Sequence, residues 1–210
     1  TELGVLVCAT EGVGYSTAEL TWGLILALLR DIPRQDAAAR QGRWQSAVGV
    51  GLRGKVLGIL GLGRLGSQVA AIGGAFGMSL IAWSQNLTAE RAAECGVTLV
   101  AREEIFAYSD ILSIHLQLSD RTRGLVGRRE LGLMKPTAYL INTSRGPIVD
   151  ETALIQVLRD RSIAGAGLDV FDQEPLPAHH ALSLLDNTIL TPHLGYVTRE
   201  GYRVFYEDTV

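Results

Sequence analysis

Residues 55–76 read KVLGILGLGRLGSQVAAIGGAF. The first six are apolar apart from Lys55, the next six place glycines at 61, 63 and 66, and the remainder is small and apolar. That order predicts a buried strand, a tight turn and a helix. Between a strand and a helix, G-x-G-x-x-G carries a mechanism. Gly61 permits the turn, Gly63 lets the backbone approach a pyrophosphate, and Gly66 lets the helix pack closely on the strand. The helix start, with Arg64 and Leu65, then offers free N–H groups and a partial positive charge to phosphates. Arg64 is expected either over the pyrophosphate or in solvent.

Working outward, strand and helix alternate. MSLIAW, VTLV, DILSIHL, TAYLIN, IAGAGLDV and NTILTP read as strands, and SQVAAIGGAF, LTAERAAECG, REEIFAY, RRELGLM and ETALIQVLRD as helices, the last capped by Asp150. Strands apolar throughout indicate burial on both faces, hence a parallel sheet. The rhythm predicts an α/β fold, a doubly wound parallel sheet of the Rossmann dinucleotide-binding type. Upstream, residues 3–8 read as a short strand, and Ser16 or Thr17 as the cap of a buried helix running to Arg30. Pro33 should end that helix, and DIPRQDAAARQGRW reads as a second, amphipathic one. Residues 42–54 fit a connecting loop.

Composition narrows the function. With 19 basic and 22 acidic residues the net charge is −3, which gives no electrostatic reason to expect nucleic acid or an anionic membrane as partner. The apolar stretch Trp22–Leu29 falls short of the roughly 20 residues a bilayer span needs. Cys8 and Cys95 have no C-x-x-C spacing and no neighbouring His, so they read as apolar filler in a reducing cytoplasm, and no metal site is expected. Ser84 stands where the fingerprint places an acidic ribose ligand, about 20 residues past the turn. It can bond a hydroxyl but does not repel a 2′-phosphate, and no Arg or Lys adjoins it. NAD is the favoured cofactor, with NADP left open.

Three further segments each put a reactive side chain at the C-terminal end of a predicted strand, the edge where open parallel sheets bind ligands. They are Asn142-Thr143-Ser144-Arg145-Gly146, then Leu168-Asp169-Val170-Phe171-Asp172-Gln173-Glu174-Pro175, then Thr191-Pro192-His193-Leu194-Gly195. A lone Arg, Glu or His is ordinarily structural or solvated; three in ordered segments invite a joint reading. A His titrates near neutrality and can serve as base and acid in turn. A carboxylate can orient its ring, and a guanidinium fork suits a substrate carboxylate.

The glycine turn together with these segments resembles the D-2-hydroxyacid dehydrogenase family, which includes D-3-phosphoglycerate dehydrogenases. The resemblance covers nearly the whole chain. It implies hydride transfer between NAD(P) and a D-2-hydroxy acid or 2-keto acid, with Arg145, Glu174 and His193 as catalytic residues. It further implies that Asp169 faces the nicotinamide carboxamide, and that Thr143, Ser144, Gly195 and His115 of SIHLQL lie on the cofactor side of the cleft. His179 and His180 are expected at the surface. Gln117 replaces the family's usual Pro, which should loosen the turn beside the cofactor. By the same resemblance, residues 1–13 are a remnant of a substrate-binding lobe, 14–197 the NAD(P)-binding domain, and 198–210 the start of a helix returning to that lobe. These residues alone should bind cofactor yet turn over weakly. Family members dimerise through the nucleotide domain, so a homodimer is expected, with the Ala18–Leu29 segment against the partner. Some transcriptional corepressors resemble the family and keep the triad, leaving a dinucleotide-sensing interaction protein as the alternative. Formate dehydrogenases of the superfamily carry Gln where Glu174 stands, which argues against that chemistry.

Overall fold

The computed structural model describes residues 10–209. The strand expected at residues 3–8, and Cys8 with it, lies outside them. Seven parallel strands form one sheet in the order β3-β2-β1-β4-β5-β6-β7. They are β1 (Val56–Leu60), β2 (Ser79–Trp83), β3 (Thr98–Leu99), β4 (Ile111–Ile114), β5 (Tyr139–Asn142), β6 (Gly165–Leu168) and β7 (Thr188–Leu190). The chain winds outward from β1 to β3, then crosses back to β4 and winds the other way. The reversal lies between β1 and β4, and a crevice opens at their carboxyl ends.

Helices cover both faces. They are α1 (Ser16–Leu29), α2 (Ile32–Arg40), α3 (Arg64–Ala75), α4 (Ala89–Glu94), α5 (Arg102–Tyr108), α6 (Arg128–Leu133), α7 (Glu151–Arg159) and α8 (Arg199–Thr209). Successive strand residues point to opposite faces, so β1 sends Leu57 and Ile59 to a core with Trp22, Leu24 and Val69. Leu60, Leu112, Ile114 and Leu140 join the other core, with Phe106, Leu131 and Leu154. Each such Leu or Ile contributes about 1.5–3 kcal/mol by leaving water.

Several expectations change in the structure. Ser16 and Thr17 do not cap α1: the cap is Tyr15, without a side-chain bond, and Ser16 is buried inside the first turn. Thr17 instead donates its hydroxyl to the Gly195 carbonyl at 2.9 Å. Helix α3 starts at Arg64, within the glycine motif, and not after it. Helix α2 ends at Arg40 and buries only Ala38 among its side chains, leaving Ile32 half-exposed, so its apolar face covers little. Short 3-10 turns at Gly146–Ile148 and Ala181–Leu184 had no signal that periodicity could detect.

Asp110 fastens the amino ends of the central strands. Its carboxylate accepts the Val56 N–H at 2.8 Å and the Lys135 ammonium at 2.9 Å. Partial burial pushes this carboxyl up, but the Val56 and Lys135 bonds and the Lys55 charge outweigh it and hold its pKa below the ordinary value. A depressed native pKa stabilises above the unfolded pKa and is lost as pH falls through the native one. Asp110→Ala should therefore cost about 1–2 kcal/mol at neutral pH after allowance for screening. The deficit should shrink as pH drops below about 4. Urea melts at both pH values read it, and an equal deficit at both would remove the linkage.

Candidate active site

The glycine turn lies at the crevice. Gly61 has φ +102°, and a Cβ there would meet the His115 carbonyl oxygen at 2.8 Å, so both conformation and room demand glycine. A Cβ on Gly66 would stand 2.1 Å from the Gly61 carbonyl oxygen. Gly63 is exposed with nothing within 4 Å of its Cβ position, at the mouth of α3. First-turn N–H groups of a helix lack intrahelical acceptors, so this open cradle fits a pyrophosphate. Arg64 is exposed and turns back, its guanidinium 3.0 Å from the Cβ position of Gly14. Leu65 faces a cavity of about 430 Å³ shared with Thr17, His115, Thr143, Ser144 and Arg145. Ser84 follows the last residue of β2, half-buried, and its carbonyl accepts the Leu87 N–H at 3.1 Å.

The end of β5 is braced from within. Asn142, 1% exposed, accepts the Ser144 N–H and donates to the Arg145 carbonyl, both at 3.0 Å. Thr143 is buried with its hydroxyl 2.8 Å from that of Thr21 in α1, and the Ser144 hydroxyl donates to the Leu116 carbonyl. Arg145, exposed, has one guanidinium nitrogen on the Ser144 carbonyl at 2.6 Å. His115 bonds the Ser113 hydroxyl at 2.8 Å, and desolvation holds its pKa down to about 4, so it is a neutral imidazole at physiological pH. Such a ring suits hydrogen bonding in a cofactor wall better than proton transfer near pH 7. At Gln117, the backbone carbonyl accepts the Thr122 hydroxyl at 2.6 Å.

Glu174 and His193, 19 positions apart, meet. His193 Nδ1 lies 2.6 Å from Glu174 Oε2, and Glu174 Oε1 accepts the Phe171 N–H at 2.9 Å. Partial burial raises the Glu174 carboxyl, but the bonds from His193 and Phe171 and the charges of His193 and Arg145 outweigh it, so its pKa is lowered. An ionised Glu174 only accepts, so Nδ1 carries the proton and Nε2 faces outward. Arg145 lines the cavity beside the glycine turn, whereas Glu174 and His193 line a second one of about 530 Å³ with Phe171, Pro192 and Tyr196.

Asp169 is held by the protein's own hydrogen bonds. It has no exposed surface, and its carboxylate accepts the Thr191 hydroxyl at 2.6 Å and the Leu194 and Gly195 N–H groups at 2.7 and 2.9 Å. Its own carbonyl takes the His193 N–H at 2.9 Å. Asp169 thus cages the turn that presents His193, whose φ of +54° is a conformation that non-glycine residues rarely adopt. Gly195 is the floor of that cage, its Cβ position 3.1 Å from Thr17. His180 is half-buried and paired with Glu151, while His179 is exposed as expected.

Residues 22–195 match the family model described as D-isomer specific 2-hydroxyacid dehydrogenase, NAD binding domain. The chain belongs to this family. A glyoxylate reductase of Aeropyrum pernix is 49% identical over 210 residues, covering 95% of this chain and 63% of that protein. A D-3-phosphoglycerate dehydrogenase of Methanocaldococcus jannaschii is 41% identical over 207 residues, covering 97% of this chain and 39% of that protein. Among solved structures, a phosphoglycerate oxidoreductase from Vibrio cholerae superposes with TM-score 0.94 at 38% identity, over 99% of this chain and 68% of that one. A D-lactate dehydrogenase from Aquifex aeolicus, complexed with NAD and lactic acid, gives 0.86 at 30% identity, over 94% of this chain and 64% of that one. The fold and the NAD-binding domain expected from the residues are those of the family. The chain spans 63% of the length of the A. pernix relative. Among the described residues no helix is long and apolar enough to cross a membrane, and no cluster of His, Cys, Asp and Glu could hold a metal.

Proposed function

We propose that the protein interconverts a D-2-hydroxy acid and its 2-keto acid with NAD, using Arg145, Glu174 and His193. The observation that carries this reading is the 2.6 Å contact of His193 Nδ1 with Glu174 Oε2, a carboxylate on which the Arg145 charge also acts. When bound, the cofactor supplies a hydride in reduction and accepts one in oxidation. Glu174 holds the His193 ring with Nε2 toward substrate. In reduction, protonated Nε2 gives its proton to the carbonyl oxygen; in oxidation, neutral Nε2 takes it from the hydroxyl. The Arg145 fork pairs the substrate carboxylate and draws the carbonyl into register. Gly63, Arg64, Leu65 and Gly66 hold the pyrophosphate, and Ser84 the adenosine ribose. His115, Thr143, Ser144 and Gly195 shape the nicotinamide side, with Asp169 fixing Gly195 and the turn.

A keto-acid panel run on the full-length protein with NADH and NADPH tests the reading. Turnover of at least one keto acid, faster with NADH, is expected. No turnover of any keto acid would sink the enzyme in favour of a dinucleotide-sensing protein, and a clear NADPH preference would sink the role of Ser84. We also infer a homodimer, but not through the apolar side of α1. Trp22, Leu24 and Ile25 of that helix are buried within the chain itself. Trp44, 82% exposed, Val48, 99% exposed, and Ile32 lie on α2 or just after it and offer a surface that a partner would cover. Light scattering at micromolar concentration should give twice the chain mass, falling toward one in Trp44→Asp. A wild-type monomer would remove the inference.

A further inference from the structure

Arg145 and Glu174 reach the site on separate segments, and their relative position depends on how those segments are joined. One joint is steric. A Cβ on Gly146 would stand 2.1 Å from the Phe171 carbonyl carbon and 2.6 Å from the Asp172 nitrogen, so backbone lies directly on backbone. The other joint is a single side chain. Glu151, the first residue of α7, accepts the Asp172 N–H at Oε2 (3.3 Å) and faces His180 Nε2 with Oε1 (3.2 Å). His180 accepts the Leu182 N–H at Nδ1 (3.3 Å), which leaves its proton on Nε2, aimed at Glu151. The two side chains are only 18% and 20% exposed, unlike the solvated pairs elsewhere on the surface.

The consequence lies one peptide further on. Glu174 holds the Phe171 N–H and Glu151 the Asp172 N–H, so two carboxylates pin consecutive amides of the loop that delivers Glu174 to His193. Without Glu151 the 171–172 peptide can turn, and Glu174 loses the anchor that sets its second oxygen on the imidazole. The arrangement also carries a like-charge cost: burial first, and then Glu151, push the Asp172 carboxyl above its ordinary value. We propose that Glu151, locked by His180, is a positioning residue that sets the Glu174–His193 pair against Arg145. This rests on those three being the reacting groups.

The test is a set of variants in the full-length protein: Glu151→Ala, Glu151→Gln, His180→Ala, Glu174→Gln and Glu151→Ala with Glu174→Gln. Glu151→Ala should lower kcat about tenfold or more, the scale of a misplaced reacting group, while NADH affinity read by fluorescence stays unchanged. Glu151→Gln keeps an acceptor for the Asp172 N–H and should recover most of the rate. On the Glu174→Gln background, Glu151→Ala should cost less than about twofold more, because residues acting through one another are not additive. Full multiplication of the two losses, or an unchanged kcat in Glu151→Ala, overturns the positioning role. Should Glu151→Ala fail to fold, His180→Ala loosens the same grip without touching α7 and should lower kcat about threefold; no effect there overturns the role equally. Glu174→Gln with intact activity would instead overturn the assignment of the reacting groups, and the positioning role with it.

Discussion

His193→Ala in the full-length protein should lower kcat by about 10²- to 10⁴-fold, the range a positioned general acid–base contributes. NADH binding should survive, because His193 lies in the cavity beside Glu174 and not among the residues of the glycine turn. Protein stability should change little, since the ring is a third exposed and its one side-chain hydrogen bond is to Glu174. Glu174→Gln should fall between, because an amide can still accept from Nδ1 but no longer stabilises an imidazolium. Stopped-flow reduction of a keto acid with NADH separates the chemical step from release. A His193→Ala protein within about threefold of wild type would remove the imidazole from the chemistry and leave the Glu174 contact as structure only.

Gly66→Ala should be among the most damaging single-methyl changes in the molecule. The added Cβ would lie 2.1 Å from the Gly61 carbonyl oxygen and 3.1 Å from Ile59 Cγ2. The first is backbone in the glycine turn, and the second belongs to a fully buried β1 side chain, so neither can yield cheaply. Helix α3 has to lift instead. It is pinned by fully buried Val69 and Ala70, by the Trp22 indole N–H on the Val69 carbonyl at 3.3 Å, and by Gly73, whose Cβ position is 2.7 Å from Leu57. The cost should reach about 3 kcal/mol, the upper part of the range for overpacked cores. Cofactor affinity should fall more than about tenfold, because the N–H groups that face the pyrophosphate move with the helix. Urea denaturation and NADH titration read the two effects. A Gly66→Ala protein within about 0.5 kcal/mol of wild type, with cofactor affinity intact, would show that the helix does not need its close approach. Gly63→Ala is the control: with nothing near its Cβ position, it should fold normally.

Much of this architecture is legible along the chain because its causes are local. A strand buried on both faces has to be apolar at nearly every position, as Val56–Leu60 is throughout and Ile111–Ile114 is apart from Ser113, and a strand-to-helix turn that packs tightly has to carry glycine at 61 and 66. Asp150 could be read as a cap because capping depends on a residue three positions away, and it does accept the Ala153 N–H at 3.0 Å. Glu174 and His193 could be paired through their motifs. The Arg64 start of α3 and the uncapped start of α1 were not legible, since tertiary contacts there outweigh cap preference.

The chain order by itself determined the parallel doubly wound sheet, the glycine cradle and the three strand-end segments that bear reactive groups. Only the folded molecule decided what Asp169, Glu151, His180 and the apolar residues of α1 do. Asp169 is a buried cage for the histidine turn, Glu151 and His180 clamp the glutamate loop, and α1 spends its apolar surface inside the chain. Their partners lie 21 or more positions away, on segments that meet only after the sheet has formed. A carboxylate or an imidazole reads the same in sequence whether it faces solvent, substrate or a backbone N–H, and burial alone separates those cases.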